Sequence, residues 1–350
     1  MRCPGERIPA AVVTGFLGSG KTTMLNRLLR DPGMMGALVV INEFGEIGLD
    51  HELIEHASGE VLLLKSGCLC CSMRSDLVDT LENSIRRVQC GEIPGFDRVI
   101  IETTGIADPQ PIMQAFMCDP FLAQTFDLRT VTATVDAVLG LATLERHWEA
   151  AKQIALADHL LVTKIDLLDG APDVVVRSLR HLNPRAQVHC TTRDTHVDPA
   201  RFWQPLFEAA LLLDRDAPLL SATWPVAGPA PLPSGRQNAA SRHAATNINT
   251  FSMFIEGPSD PGVLDDWLTA LLKTRGADVL RFKALVNVEG IPGPLVLHGV
   301  QHFLHPPVVL KAWPCADRRT RMIFVTNGLS VDDIQMPSVL SSNISSDQCR

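Results

Sequence analysis

The chain has 350 residues, 46% of them hydrophobic, and 31 Lys and Arg against 39 Asp and Glu give a formal net charge of −8. That is material for one large core and a second smaller one, without the basic field that a general binder of nucleic acid or anionic membrane needs, so those two classes are excluded. No run of 18 apolar residues occurs, and residues 1–7 lack the apolar stretch of a secretory leader, so the expectation is a cytoplasmic protein that spans no membrane.

An apolar run at residues 8–13 leads into Gly15-Phe16-Leu17-Gly18-Ser19-Gly20-Lys21-Thr22, with a helix-compatible stretch over 23–30 behind it. This is a complete phosphate-binding loop in the context such a loop requires, a strand before and a helix after. The glycines let backbone N–H groups close around phosphates, Lys21 reaches the β and γ phosphates, and the Thr22 hydroxyl coordinates Mg²⁺. Gly15, Gly18, Ser19, Gly20, Lys21, Thr22 and the adjoining Thr23 form the expected phosphate-binding set.

Short apolar runs at 11–14, 37–41, 61–64, 98–101, 130–135, 160–163 and 187–190 read as buried strands. Several are separated by helical patterns, such as Met73, Leu77, Leu81, Ile85 and Val88 behind Ser72, a candidate N-cap. Near-continuous Val/Ile/Leu strands alternating with amphipathic helices predict a mostly parallel α/β sheet with helices on both faces, the P-loop NTPase architecture. Ligands of such sheets bind at the carboxyl ends of the strands.

After the third of these runs stands Cys68-Leu69-Cys70-Cys71, preceded by Ser66-Gly67. Adjacent strand residues point to opposite faces, so Cys70 and Cys71 can share a metal only on a turn, which Gly67 supplies. A helix N-terminus just beyond would favour the thiolate form. Three soft sulfurs suit Zn²⁺ or Cu⁺, with Co²⁺ also accepted, and leave a fourth position to water, a carboxylate or a partner. The competing reading is three clustered thiols with a redox or packing role. The other cysteines, Cys3, Cys90, Cys118, Cys190, Cys315 and Cys349, are scattered singly and read as fillers or bystanders rather than a disulfide framework.

The fourth strand ends in Glu102-Thr103-Thr104-Gly105, where a phosphate-loop NTPase carries the acidic residue of its Mg²⁺ site and the glycine that senses the γ-phosphate. After the sixth comes Thr163-Lys164-Ile165-Asp166, similar to the guanine-specificity motif N-K-x-D. There the aspartate accepts both N1–H and the exocyclic amine of guanine, a pairing adenine cannot offer. Thr163 in place of Asn forgoes the side-chain amide that braces the loop, and the competing role for Asp166 is a helix cap.

Composition changes near residue 217. The sequence divides into a GTPase domain over 1–216, a flexible Pro/Ala/Ser/Gly-rich linker over 217–249, a smaller α+β domain over 250–329 and a mobile Ser-rich tail over 330–350. In the smaller domain, strands are expected at 250–256, 279–288, 295–302, 308–313 and 321–326, with one helix at 261–273 and one sheet face open to a partner. His298, His302 and His305 look like a metal cluster, but alternating strand geometry need not bring them together, and structural roles are expected for them. His51 and His56 read as exposed loop residues.

The strings V-T-G-F-L-G-S-G-K-T-T, N-E-F-G-E-I-G, G-C-L-C-C, E-T-T-G-I-A-D-P and T-K-I-D-L, in this order over residues 10–168, resemble a CobW-type GTPase, related to the nickel-insertion GTPases of urease and hydrogenase maturation. The stretch from Leu280 to His302 is similar to that family's smaller second domain. The resemblance implies slow hydrolysis of GTP to GDP and phosphate, with Lys21, Thr22 and Glu102 at the reaction and Thr22 and Glu102 organising Mg²⁺. It implies a cargo site at Cys68, Cys70 and Cys71 for zinc or cobalt, passed to a client protein. Residues 42–50 become a switch segment, with Glu43 a further candidate ligand; a homodimer is compatible with this reading. Relatives with a His-rich linker differ from this chain, whose linker holds only His243. No residue is identified as orienting the attacking water. Two other readings compete: a non-catalytic metal-binding regulator with structural nucleotide, and an ATP-using enzyme.

Overall fold

The computed structural model describes residues 7–43, 60–65, 72–192, 248–313 and 316–337, and for 42–43, 60–65 and 72–74 the backbone alone. The switch segment beyond Glu43, Cys68, Cys70, Cys71, the linker, His51 and His56 lie outside the described residues. Two compact units divide the chain, Met1–Leu206 and Phe207–Arg350.

In the first unit, β1 (Ile8–Gly15), β2 (Ala37–Glu43), β3 (Glu60–Lys65), β4 (Arg98–Glu102), β5 (Phe126–Asp136), β6 (His159–Thr163) and β7 (Gln187–Cys190) are the seven expected strands. They form one sheet in the order β3-β2-β4-β1-β5-β6-β7, and every pairing is parallel. β1 is central and fully buried from Ala10 to Val13, as its unbroken apolar run requires. The connecting helices are α1 (Lys21–Leu29), α2 (Ser72–Gln89), α3 (Gln110–Cys118), α4 (Pro120–Thr125), α5 (Gly140–Arg146), α6 (Trp148–Leu156) and α7 (Asp173–Leu182).

Strand alternation divides the core between two faces. Val13, Ile100 and Leu161 face α1, which buries Met24, Leu25, Leu28 and Leu29 against them. Those four side chains contribute about 1.5–3 kcal/mol each. Ala133, Leu160 and Val162 point the other way, against Ile154 of α6 and Val175 and Leu179 of α7. Helices on both faces follow from strands that are apolar at odd and even positions alike.

The second unit is an antiparallel sheet of six strands: β8 (Ile248–Ile255), β9 (Val279–Val286), β10 (Leu295–Val300), β11 (Phe303–Leu304), β12 (Val308–Val309) and β13 (Thr320–Asn327). Their order is β11-β10-β9-β13-β8, with β12 also on β10. The helix α8 (Pro261–Arg275) starts at Pro261 behind Asp260, whose Oδ1 accepts from Val263 N at 2.9 Å. Its Leu264, Trp267 and Leu268 pack on Phe282, Met322 and Phe324 of one sheet face. The strand expected over 308–313 shrinks to two residues, and β10 stops at Val300 because Gln301 turns with φ 55° and folds β11 back on it. Packing also continues past Leu329, the expected start of the tail: Ile334 is buried and the Trp267 indole donates to Gln335 O at 2.8 Å.

Candidate functional site

The register of the sheet gathers the motifs at its carboxyl edge. Val13 of β1 pairs with Glu102 of β4, Gly15 with Thr134 of β5, and Asp136 of β5 with Thr163 of β6. The phosphate-binding loop therefore leaves β1 between the ends of β4 and β5, with Thr163 one strand further on.

The loop needs its glycines. Gly15 has φ +138°, and a Cβ there would lie 2.3 Å from Thr134 Oγ1 and 2.5 Å from Thr134 O, so the strand end admits no side chain. Gly20 caps α1 in the left-handed region at φ 94°. Hydroxyls fasten the loop from below: Ser19 Oγ lies 2.6 Å from Thr134 Oγ1, Thr103 Oγ1 donates to Thr14 Oγ1 at 2.9 Å, and Thr163 Oγ1 donates to Ser19 O at 2.7 Å. The last bond answers the departure at Thr163: a hydroxyl, reaching Val135 O as well at 3.2 Å, braces the loop where an amide was expected.

Lys21 is 8% exposed, and its Nζ donates to Gly15 O at 2.9 Å and Phe16 O at 3.3 Å. The Thr22 hydroxyl donates to Glu102 Oε1 at 2.9 Å, and Glu102 is buried. A hydroxyl beside a carboxylate is a hard oxygen pair of the kind Mg²⁺ takes, so these residues fit that ion. Thr23 is exposed on the first turn of α1. Gly105 meets the loop closely, for its Cβ would sit 2.6 Å from Leu17 N.

Lys164 has left-handed φ 58° and Asp166 stands exposed in the turn after it. Lys164 Nζ donates to Gly18 O and to Asp136 Oδ2, each at 2.7 Å, and so ties the turn over residues 163–166 to the phosphate loop. Asp136 is a site residue that the motif reading missed. It is 8% exposed, and its Oδ1 accepts from Val138 N at 2.8 Å and Leu139 N at 3.0 Å. The signal was one acidic residue closing an apolar strand at the carboxyl edge, as Glu102 does. A cavity of about 270 Å³ beside the loop is lined by Phe16, Leu17, Leu139, Thr143, Gln153 and Lys164 among others.

Burial raises the Asp136 carboxyl, but the bond from Lys164 and the N–H groups of Leu139 and Val138 outweigh it and hold the group below the ordinary carboxylate value. A folded-state pKa below the unfolded one stabilises the fold above the ordinary carboxylate range, and the contribution fades as pH falls through the folded-state value. Asp136→Asn is expected to cost about 1 kcal/mol at neutral pH. The gap to wild type should narrow in acid, as compared by urea midpoints at the two pH values.

Elsewhere, two of the three second-unit histidines hold backbone carbonyls. His302 Nδ1 contacts Leu272 O near the end of α8 at 2.7 Å, and His305 Nδ1 contacts Pro306 O at 2.9 Å. Among the described residues no group of three His, Cys, Asp or Glu is arranged to hold a metal. Cys90, Cys118 and Cys190 form no disulfide among the described residues. No helix among the described residues is long and apolar enough to cross a membrane.

Comparison with known proteins agrees with this geometry. The family model described as CobW/HypB/UreG, nucleotide-binding domain, matches residues 9–190, and that described as cobalamin synthesis protein cobW C-terminal domain matches residues 248–337. A protein of Escherichia coli (strain K12) named zinc chaperone YjiA is 30% identical over 329 residues, 94% of this chain and 96% of its own length. One of Schizosaccharomyces pombe named zinc-regulated GTPase metalloprotein activator 1 is 34% identical over 195 residues, 53% of this chain and 46% of its own. The crystal structure of Zn(II)-bound YjiA GTPase from E. coli superposes with a TM-score of 0.68 at 23% identity, covering 97% of this chain and 99% of that one, which is a likeness of fold.

Proposed function

The chain belongs to the CobW/HypB/UreG family, with the CobW C-terminal domain as its second unit, and from that premise we propose that it hydrolyses GTP slowly and uses the nucleotide state to hold a divalent metal, zinc or cobalt, and deliver it to a client protein. The observation that carries the hydrolytic part is the bond of the Thr22 hydroxyl to the Glu102 carboxylate at 2.9 Å, with Lys21 on the adjoining residue. The names of the relatives, one a zinc chaperone and one a zinc-regulated GTPase, support metal as the cargo.

In this reading the N–H groups of residues 18–21 and the Lys21 ammonium receive the β and γ phosphates and stabilise the charge that builds on them. Thr22 and Glu102 hold Mg²⁺, which neutralises phosphate charge when bound. Gly105 sits beside the loop to sense the γ-phosphate, Thr163 and Lys164 fix the base-recognition turn, and Asp166 selects guanine. The cargo is assigned to Cys68, Cys70 and Cys71, with Glu43 as a further ligand. These cysteines follow the carboxyl end of β3, the edge that also bears the phosphate loop. Metal on them would bias the segment after β2, so that GTP and metal affinities are coupled reciprocally.

Titration of metal-free protein with Zn²⁺ and with Co²⁺ under reducing conditions tests this. We expect one thiol-dependent site whose affinity differs by about five- to a hundredfold between GDP and a slowly hydrolysed GTP analogue. It should be lost in the combined Cys68→Ala, Cys70→Ala, Cys71→Ala variant. Equal affinities with analogue, with GDP and without nucleotide would remove the coupling and leave a GTPase whose cysteines have another role.

A further inference from the structure

The turn that carries Gly105 is held from an unexpected direction. It begins at Thr103, whose N–H donates to Val13 O, and folds back with Ala107 N on Thr104 O. The carbonyls of Gly105 and Ala107 are then both taken by one side chain from α6. Gln153, 1% exposed, donates from Nε2 to Gly105 O at 3.1 Å and to Ala107 O at 2.9 Å. A primary amide nitrogen is an uncharged group with two hydrogens to give, which suits it to grip two carbonyls at once. Its Oε1 is buried without a hydrogen-bond partner among the described residues, so the side chain is placed there at a cost that the two donated bonds offset.

The neighbouring residue repeats the tie. Lys152, 7% exposed, reaches Asp108 Oδ2 at 2.5 Å and lies 5.3 Å from the Trp148 ring centroid. The other oxygen of Asp108 accepts from Gln110 N at 2.9 Å, where α3 begins. From Gly105 to Asp108, then, the turn is fastened by two consecutive residues of a helix whose next residue, Ile154, is sealed into the core.

What this turn can do is limited on its other side. A methyl on Gly105 would lie 2.6 Å from Leu17 N and 2.7 Å from Leu17 Cα, so the turn and the phosphate loop already touch backbone to backbone. His147, one residue before α6, sets its ring 4.5 Å from that of Phe16 in the same loop, the two planes tilted by 30°. Gly105 thus sits between the loop, which holds the nucleotide, and Gln153, which holds Gly105.

We propose that Gln153 is the positioning residue of the γ-phosphate-sensing turn, holding Gly105 where it meets the third phosphate and making α6 the element that registers whether that phosphate is present. The proposal rests on the GTPase reading above and adds to it the residue that sets GTP against GDP. On that reading Gly105 meets the γ-phosphate, which GDP lacks, so the grip of Gln153 bears on the triphosphate complex.

The test uses the full chain with Mg²⁺ and compares the dissociation constants of GDP and of a slowly hydrolysed GTP analogue in wild type and in Gln153→Leu, which keeps the bulk and removes both donors. We expect analogue affinity to fall about tenfold while GDP affinity moves by less than about twofold, from the loss of two hydrogen bonds to one turn. Amide hydrogen exchange should quicken over residues 103–108 and stay unchanged in β1. If Gln153→Leu does not fold, Gln153→Met, flexible and equally without donors, takes its place. A parallel fall in both affinities, or none in either, makes Gln153 a core residue and overturns the proposal. A wild-type chain that binds no guanine nucleotide overturns the GTPase reading and this role with it. Wild-type binding with unaltered discrimination in the variant overturns this role alone.

Discussion

In a Lys21→Ala variant, multiple-turnover phosphate release from GTP falls about a hundred- to a thousandfold, the loss expected when one preorganised donor to a developing negative charge is removed. Lys21 is the first residue of α1, 8% exposed, its ammonium held by two carbonyls of its own loop. Such an ammonium is already largely stripped of water, and its attraction to phosphate oxygens is correspondingly strong. Because a lost phosphate ligand weakens binding as well as turnover, the variant is assayed at saturating GTP, with circular dichroism as a check that the sheet survives. Phosphate release that does not depend on Lys21 would not arise at this loop, and would favour the non-catalytic regulator, in which nucleotide is a structural ligand.

Asp166→Asn is expected to weaken GTP binding by about 2–3 kcal/mol, roughly a hundredfold, since hydrogen bonds to a charged acceptor are lost and an amide donor faces guanine donors instead. Xanthosine triphosphate, which offers an acceptor where guanine has its amine, should bind the variant better than the wild type does. Asp166 is exposed in a three-residue helical turn and is set there by Lys164, whose left-handed backbone and two 2.7 Å bonds lock the approach. Competition between the two triphosphates for each protein gives the answer. An unchanged preference would point to the ATP-using alternative.

The legibility of the chain followed burial. The strands of the first unit lie in a sheet covered on both faces, so apolar runs such as Val12-Val13, Val39-Val40 and Ile100-Ile101 mark them without periodicity. The placement of the loop, Glu102 and the Thr163 turn was readable because each motif stands at a fixed distance after a strand, and the register brings them to one edge. Asp136 was not, since a lone aspartate closing a strand has no motif around it, and its role appears only when β5 and β6 set it 2.7 Å from Lys164. The brace at Thr163 was hidden for a like reason: the acceptor is a backbone carbonyl 144 residues earlier in the chain. In the second unit the two-residue strands β11 and β12 bury too little to leave a pattern, and the sharp turn at Gln301 has none of the usual glycine or asparagine to announce it. The cysteine motif remains a reading of the sequence, outside the described residues.

The strand order bears on how such a protein changes over generations. β3, which precedes the cysteines, and β6, which precedes the base-recognition turn, stand on opposite flanks of the phosphate loop, five strand spacings or about 24 Å apart. On the function proposed here, cargo chemistry and purine choice are written after different strands of the sheet. A lineage could exchange thiolates for other ligands after β3, adopting a different ion, while every residue that recognises guanine stayed untouched.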